Sequence, residues 1–282
     1  MNALFPDYLK VPAAELGGGT SVTIEVVPGK DEIASAMAAE MIKIVEEARA
    51  SGRMPTLIIP VGPVDQFPLL AELINRKRHN WMDVVLINMD EYLTDGDEWV
   101  PADHPLSFRG YMDRKFYDLI APELAPLPEN RVFPDPKAPE AIQELIDSRG
   151  GVSACFGGIG INGHMAFNEP PEPGESCPLE EFAARPTRLL NLSRETRTIN
   201  SVTIGGGLTL IPRRAITVGM KEILASGKMR FYCNRPWQSA VVRRVLHDSV
   251  TAACPASLMQ NHPDARLTLA KYVADLPDIR LR

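Results

Sequence analysis

The chain has 282 residues, 45% of them hydrophobic and 23% charged, with a formal net charge of −6. That length suits one large α/β domain or two small ones, and the composition excludes a disordered chain. The acidic balance and the sparse pairs Arg213–Arg214 and Arg243–Arg244 exclude a nucleic-acid footprint, and no apolar run is long enough to cross a bilayer.

The opening "MNALFPDYLK" lacks a basic region followed by an apolar stretch, so no secretory signal is read and a cytoplasmic location is expected. Residues 1–20 end in "GGG" and read as an N-terminal arm, with 21–282 a single α/β domain. "SVTIEVV" (21–27) is β-branched and predicts a strand. Ile33, Met37, Met41, Ile44 and Val45 then recur at helical spacing up to Gly52. "TLIIPVG" (56–62) is the continuous apolar run of a strand covered on both faces, a helix follows to about Arg78, and "DVVLINMDEY" (83–92) is the next buried strand. "VSACFGGIG" (152–160), "AITVGM" (215–220), "RFYC" (230–233) and "LTLAKYVADL" extend the alternation. The expected fold is a Rossmann-like, doubly wound, mostly parallel sheet with helices on both faces.

Cys155, Cys177, Cys233 and Cys254 show no C-x-x-C spacing, so they read as reduced, mostly buried thiols and no metal site is expected. Prolines cluster in 122–139 and 170–186, and the second cluster is expected to be a moving lid.

In a sheet of this kind ligands bind outside the carboxyl ends of the strands. That rule brings "VGPVDQF" (61–67), "NMDEYLTDGDEW" (88–99) and "GGIGINGHMAFNEP" (157–170) to one rim. Asp90 and Glu91 leave an apolar strand there, and desolvation raises a carboxyl pKa toward the range a general base needs. A turn cap is the competing role for Asp90. His164, between glycines and five residues before Glu169, is placed to pass protons if the carboxylate holds it, although loop histidines more commonly bond backbone. The stretch does not fit G-x-G-x-x-G, so no dinucleotide site is expected.

"NMDEY", "GGIGINGHMAFNEP", "ETRTINS" and "PRRAITVGM", with the pair His262–Pro263, resemble in order and separation the glucosamine-6-phosphate deaminase/isomerase family from about residue 30 to 265. "FNEP" favours that family over the related phosphogluconolactonases. The resemblance implies that Asp90 moves a proton between C2 and C1 of the opened sugar and that His164, held by Glu169, opens the ring. It implies no metal or organic cofactor, release of ammonia as the aldose becomes a ketose, a small-molecule sugar or sugar phosphate as partner, and a homo-oligomer. Candidate substrate contacts are Gly62, Asp65, Glu91, Gly163, Arg197 and Gln238.

Two departures stand out. Asn162 occupies the place of a family Asp near the catalytic His; an amide can accept a hydrogen bond but cannot stabilise an imidazolium by charge. The phosphate-binding loop reads "VGPVDQF", with Pro63 lacking an N–H and Asp65 opposing an anion, the family Arg is replaced by Val202, and the family Lys falls on or near Gln238. Asp65 and Gln238 could instead bond sugar hydroxyls, with helix capping the competing role for Asp65. Arg235, or Arg213 with Arg214, could restore the missing charge, and Trp237 could stack on a sugar or sit in the core. The isomerase/deaminase reading therefore competes with a sugar lactone hydrolase and with a non-catalytic sugar sensor.

Overall fold

The computed structural model describes residues 5–62 and 65–277. Pro63, whose missing N–H counted against an anion site, lies outside them.

The strands are β1 (Thr23–Val27), β2 (Thr56–Ile59), β3 (Val85–Asn88), β4 (Asp90–Leu93), β5 (Arg131–Val132), β6 (Ala154–Gly157), β7 (Arg188–Asn191), β8 (Arg214–Thr217), β9 (Met229–Cys233) and β10 (Ala265–Ala270). The helices are α1 (Lys30–Ala50), α2 (Gln66–Lys77), α3 (Phe108–Lys115), α4 (Ala141–Ser148), α5 (Leu179–Ala183), α6 (Arg194–Ser201), α7 (Met220–Leu224), α8 (Gln238–His247) and α9 (Lys271–Ala274). Seven strands form a parallel sheet in the order β1-β10-β9-β6-β2-β3-β5. β2, β3, β6 and β9 are buried along their whole length, as their unbroken apolar sequences require of strands covered on both faces. The α/β fold expected from the alternation is the one observed.

The apolar face of α1 is also as expected: Ile33, Met37, Met41, Ile44 and Val45 are all buried. From β2 the chain builds outward through β3 to one edge, then returns to the other side of β2 with β6 and β9. The order therefore reverses between β2 and β6, and the loops leaving these strands diverge to open a crevice.

The expected single strand over 83–92 is in fact two. The Met89 amide still bonds the Ile59 carbonyl of the large sheet, but the Met89 carbonyl accepts from Val218, and from Asp90 onward the chain pairs antiparallel with β8. β4, β8 and β7 form a second, three-stranded sheet, so "AITVGM" belongs there and not to the parallel sheet. A small apolar cluster of Tyr92, Phe167, Leu192 and Ile211 packs against it. Asp90 stands at the junction of the two sheets.

Residues 7–15 make two short 3-10 turns along α8, tied there by Arg243 Nε to the Val11 carbonyl (2.9 Å) and by the Gly17 amide to His247 Nε2 (3.3 Å). Cys155, Cys233 and Cys254 are buried, Cys177 is half-buried, and none is bonded to another. Among the described residues no helix is long and apolar enough to cross a membrane.

Candidate active site

A cavity of about 400 Å³ opens at the carboxyl ends of β2, β3, β6 and β9. Val61 and Gly62 line it after β2, Asp90 after β3, Gly160 and His164 after β6, and Arg235 after β9. Asp90 and His164 thus face one chamber, although they come from different crossovers.

Asp90 is only 8% exposed. Burial, and then the negative charge of Glu91, raise its pKa to about 8. The sheet junction accounts for the burial: register with Thr217 fixes the Asp90 backbone, and Met89, 2% exposed, closes the large sheet beside it. At neutral pH such a carboxyl is largely protonated, and once ionised it is a stronger base than an exposed aspartate.

His164 is held from behind. Its Nδ1 lies 2.8 Å from Asn162 Oδ1, 3.2 Å from Thr196 Oγ1 and 3.4 Å from Glu169 Oε2. Asn162 Nδ2 donates to Glu169 Oε2 (2.7 Å), and Glu169 Oε1 accepts from the Ser193 amide at the start of α6 (3.2 Å). Burial alone would raise the Glu169 pKa, but the bonds and charge from His164, with bonds from Asn162 and Thr196, outweigh it and bring the value to about 2. An ionised Glu169 can only accept, so the Asn162 amide must turn its nitrogen to Glu169 and its oxygen to His164. The network therefore assigns the proton to Nδ1 and leaves Nε2 with a free lone pair. Asn162 keeps the orienting function open to an Asp at this position, while the negative charge nearest the imidazole belongs to Glu169.

The glycines around His164 work on protein, not ligand. A Cβ on Gly160 would overlap Cε1 and Nε2 of the His164 ring. Gly163, expected to contact substrate, does not line the cavity: it has φ +88°, and a Cβ there would come within 2.7 Å of Cys254 Sγ. Farther along, buried Asn168 donates to the Met165 and Val218 carbonyls and accepts from Arg188 Nη1, fixing the turn between His164 and Glu169.

Other candidate contacts fall elsewhere. Glu91 is fully buried, and its carboxylate accepts from the amides of Tyr92, Phe108 and Arg109 and from Ser107 Oγ. It anchors the N-terminus of α3, where the helix dipole favours a negative charge, and is spent on the fold. Replacing it with Ala leaves buried donors unpaired, so E91A is expected to lose about 3–5 kcal/mol of stability, read as a lower denaturation midpoint in urea. Asp65 is exposed at the N-cap position of α2, makes no capping bond and does not line the cavity. Arg197 reaches the Leu208 carbonyl (3.3 Å) and holds the loop after α6. Gln238 does line the cavity, but its Oε1 accepts from the Arg235 amide and its Nε2 donates to the Ile159 carbonyl.

Of the remaining positions tied to phosphate or sugar, Val202 is 67% exposed, and it lies off the cavity together with Arg213, Arg214 and Trp237. Arg214 is paired with Asp97 (2.6 Å). No residue of 170–186 lines the cavity, and Phe182, 0% exposed, pins that segment to the core. Pro105, Leu106, Asn200, Thr203 and Ile211 line it instead.

Sequence reasoning missed Thr196, which sits inside the quoted "ETRTINS" and shows no signal until α6 is docked on the His164 turn. It also missed Asn200, whose Nδ2 donates to the Tyr92 hydroxyl (3.0 Å) across the cavity wall. Among the described residues no cluster of His, Cys, Asp and Glu could hold a metal ion.

Parallel-sheet topology, a desolvated carboxyl and a carboxylate-held imidazole on one cavity define an α/β protein with a site suited to acid–base chemistry. No family model matches the chain. It is 29% identical over 272 residues to the glucosamine-6-phosphate deaminase of Rhodopirellula baltica, covering 94% of this chain and 100% of the relative. It is 27% identical over 249 residues to that of Caenorhabditis elegans, covering 87% and 86%. A solved monomeric glucosamine-6-phosphate deaminase superposes with a TM-score of 0.76 at 23% identity, over 91% of this chain and 100% of the other. The 6-phosphogluconolactonase of Trypanosoma cruzi follows with 0.65 at 16% identity, over 90% and 96%. By these similarities the chain resembles the glucosamine-6-phosphate deaminase/isomerase family, the same resemblance that its motifs carry.

Proposed function

We propose that the protein is an aldose–ketose isomerase/deaminase that converts an amino sugar or amino-sugar phosphate to a ketose and ammonium. The observation that carries the reading is the sharing of one cavity by Asp90, a carboxyl with raised pKa, and His164, an imidazole whose free Nε2 is set by Asn162 and Glu169. Nε2 takes the proton of the anomeric hydroxyl and returns one to the ring oxygen, opening the sugar. Asp90 then takes the C2 proton while a proton passes from the C2 ammonium to O1, giving an enolamine, and Asp90 delivers its proton to C1. That transfer leaves an iminium at C2, which water hydrolyses to the ketose with release of ammonium. His164 supplies the proton transfers at the anomeric hydroxyl and ring oxygen, and Asp90 those at C2 and C1.

The test is incubation with free and 6-phosphorylated glucosamine and galactosamine and with a phosphogluconolactone, following ammonium, ketose and acid. Ammonium and ketose that disappear in D90N support the proposal. Acid from the lactone alone supports the second reading, a sugar lactone hydrolase, which the likeness to phosphogluconolactonase folds favours. Binding without turnover supports a sensor. The same reading takes the enzyme to be cytoplasmic and a homo-oligomer. Sedimentation checks the assembly, since the solved relative of highest TM-score quoted above is described as monomeric.

The neutral Asn162 makes a separate prediction. N162D places a second carboxylate where Nδ2 now donates to Glu169 at 2.7 Å, so one proton must be shared among the new carboxylate, Glu169 and His164. Sharing that proton disturbs the bonds that fix Nδ1, so kcat/KM should fall by about tenfold or more. A rate equal to wild type would show that the neutral amide is not what orients the imidazole.

A further inference from the structure

We propose that Arg235 is the residue that selects a phosphorylated substrate, binding the anionic end of the sugar in place of the basic positions that read Val202 and Gln238 in this chain. The assignment rests on the sugar-phosphate reading of the cavity and adds to it the group that recognises the phosphate.

Among the described residues, Arg235 and His164 are the only cavity-lining side chains able to carry positive charge, and His164 is committed to Asn162, Thr196 and Glu169. The guanidinium of Arg235 makes no hydrogen bond and no ion pair with the described protein, unlike Arg214, Arg230 and Arg243, whose side chains are engaged by Asp97, by Glu40 and by backbone carbonyls. An arginine that is exposed on a cavity wall and unsatisfied by protein has its planar set of donors free for a bidentate oxyanion.

Its backbone, by contrast, is fixed. Gln238, 5% exposed, receives the Arg235 amide at 2.8 Å on Oε1 and holds the Ile159 carbonyl at 2.8 Å with Nε2. The neighbouring Asn234 carbonyl accepts from the Tyr272 hydroxyl at 2.6 Å. The turn between β9 and α8 is thereby clamped to the glycine turn that precedes His164. Gln238 offers no cation where the family resemblance implies a lysine, but it locks in place the residue that does. Asp65, exposed at the start of α2, is a negative charge on the β2 side of the rim, which further favours the β9 side for an anion.

Isothermal titration of the full chain with glucosamine 6-phosphate and with free glucosamine tests the assignment, using wild type, R235A, R235K and the off-cavity control R213A. Wild type and R213A should prefer the phosphorylated sugar. R235A should weaken binding of the phosphorylated sugar by roughly 10- to 150-fold, the loss of a charge-assisted hydrogen bond, and leave free glucosamine within about twofold. R235K should recover part of the loss, since a point charge replaces the fork. Equal affinity of wild type for the two sugars, or R235A indistinguishable from wild type, overturns the proposal. Parallel ammonium assays separate it from the deaminase reading. Phosphate-selective binding that needs Arg235, without ammonium release, keeps Arg235 and removes the deaminase. Ammonium release indifferent to Arg235 does the reverse.

Discussion

Asp90→Asn should abolish most amino-sugar turnover, lowering kcat/KM by about 10²- to 10⁴-fold, the range expected for removal of a positioned general base. The amide is nearly isosteric, so substrate affinity should change little and the loss should fall on kcat. In the wild type, kcat/KM reports the free enzyme, and the Asp90 pKa of about 8 means that the base must first ionise. Log kcat/KM should therefore climb with unit slope toward pH 8 and level off above it, and D90N should lack the climb. The stability consequence has the opposite direction. A carboxyl whose folded pKa is raised holds its proton longer in the folded state, so its contribution is complete below the unfolded value of 3.8 and is lost as pH rises through about 8. D90N does not ionise, and above pH 8 it should melt at a higher temperature than wild type while turning over far more slowly. A variant that is both slower and less stable at that pH would locate the function of Asp90 in the fold instead.

The parallel sheet could be read in the sequence because its central strands are covered on both faces, which leaves unbroken apolar runs such as "TLII" and "ACFG" with no competing pattern. The exit of the chain at Met89 could not. "LINMDEYL" keeps strand propensity across the break, and the change of sheet is decided by pairing with β8, more than a hundred residues away. That break is what buries Asp90, so the carboxyl and its desolvation were legible from its position while the sheet junction that desolvates it was not. For Glu91 the same position misled: alternation along β4 turns it inward to the N-terminus of α3, which no local pattern announced.

Residues behind His164 divide in the same way. Asn162 and Glu169 lie close to it in sequence and could be nominated together, whereas Thr196 reaches Nδ1 only because Glu169 receives the Ser193 amide and so docks α6. The positions tied to phosphate were the least legible part. Resemblance located those that lack charge here, and only the β9–α8 turn places the guanidinium that, among the described residues, is left unbonded on the cavity, that of Arg235. A carboxylate or amide at a rim position says little until its hydrogen bonds are known. Gln238 and Glu91 are both polar and both near the cavity, and both are consumed by the protein.

Gly160→Ala should lower kcat/KM by about 10²-fold or more while leaving the melting temperature close to wild type. Gly160 has no left-handed φ, so alanine meets no backbone penalty there. The new methyl overlaps Cε1 and Nε2 of His164, and the ring, anchored at Nδ1 by Asn162 and Thr196, must swing or break those bonds to admit it. Displacement of a catalytic group by an ångström is enough for a loss of that size. Gly163→Ala isolates the alternative, that any side chain in this turn merely unfolds it. Gly163 has φ +88° and abuts Cys254, so alanine there strains the backbone and the core together and should depress the melting temperature directly. If the two substitutions instead lower stability and rate in equal proportion, the Gly160–His164 contact is packing alone. If G160A slows turnover at wild-type stability and shifts the imidazole nitrogen resonances of His164, the glycine is what lets the ring stand at the cavity wall.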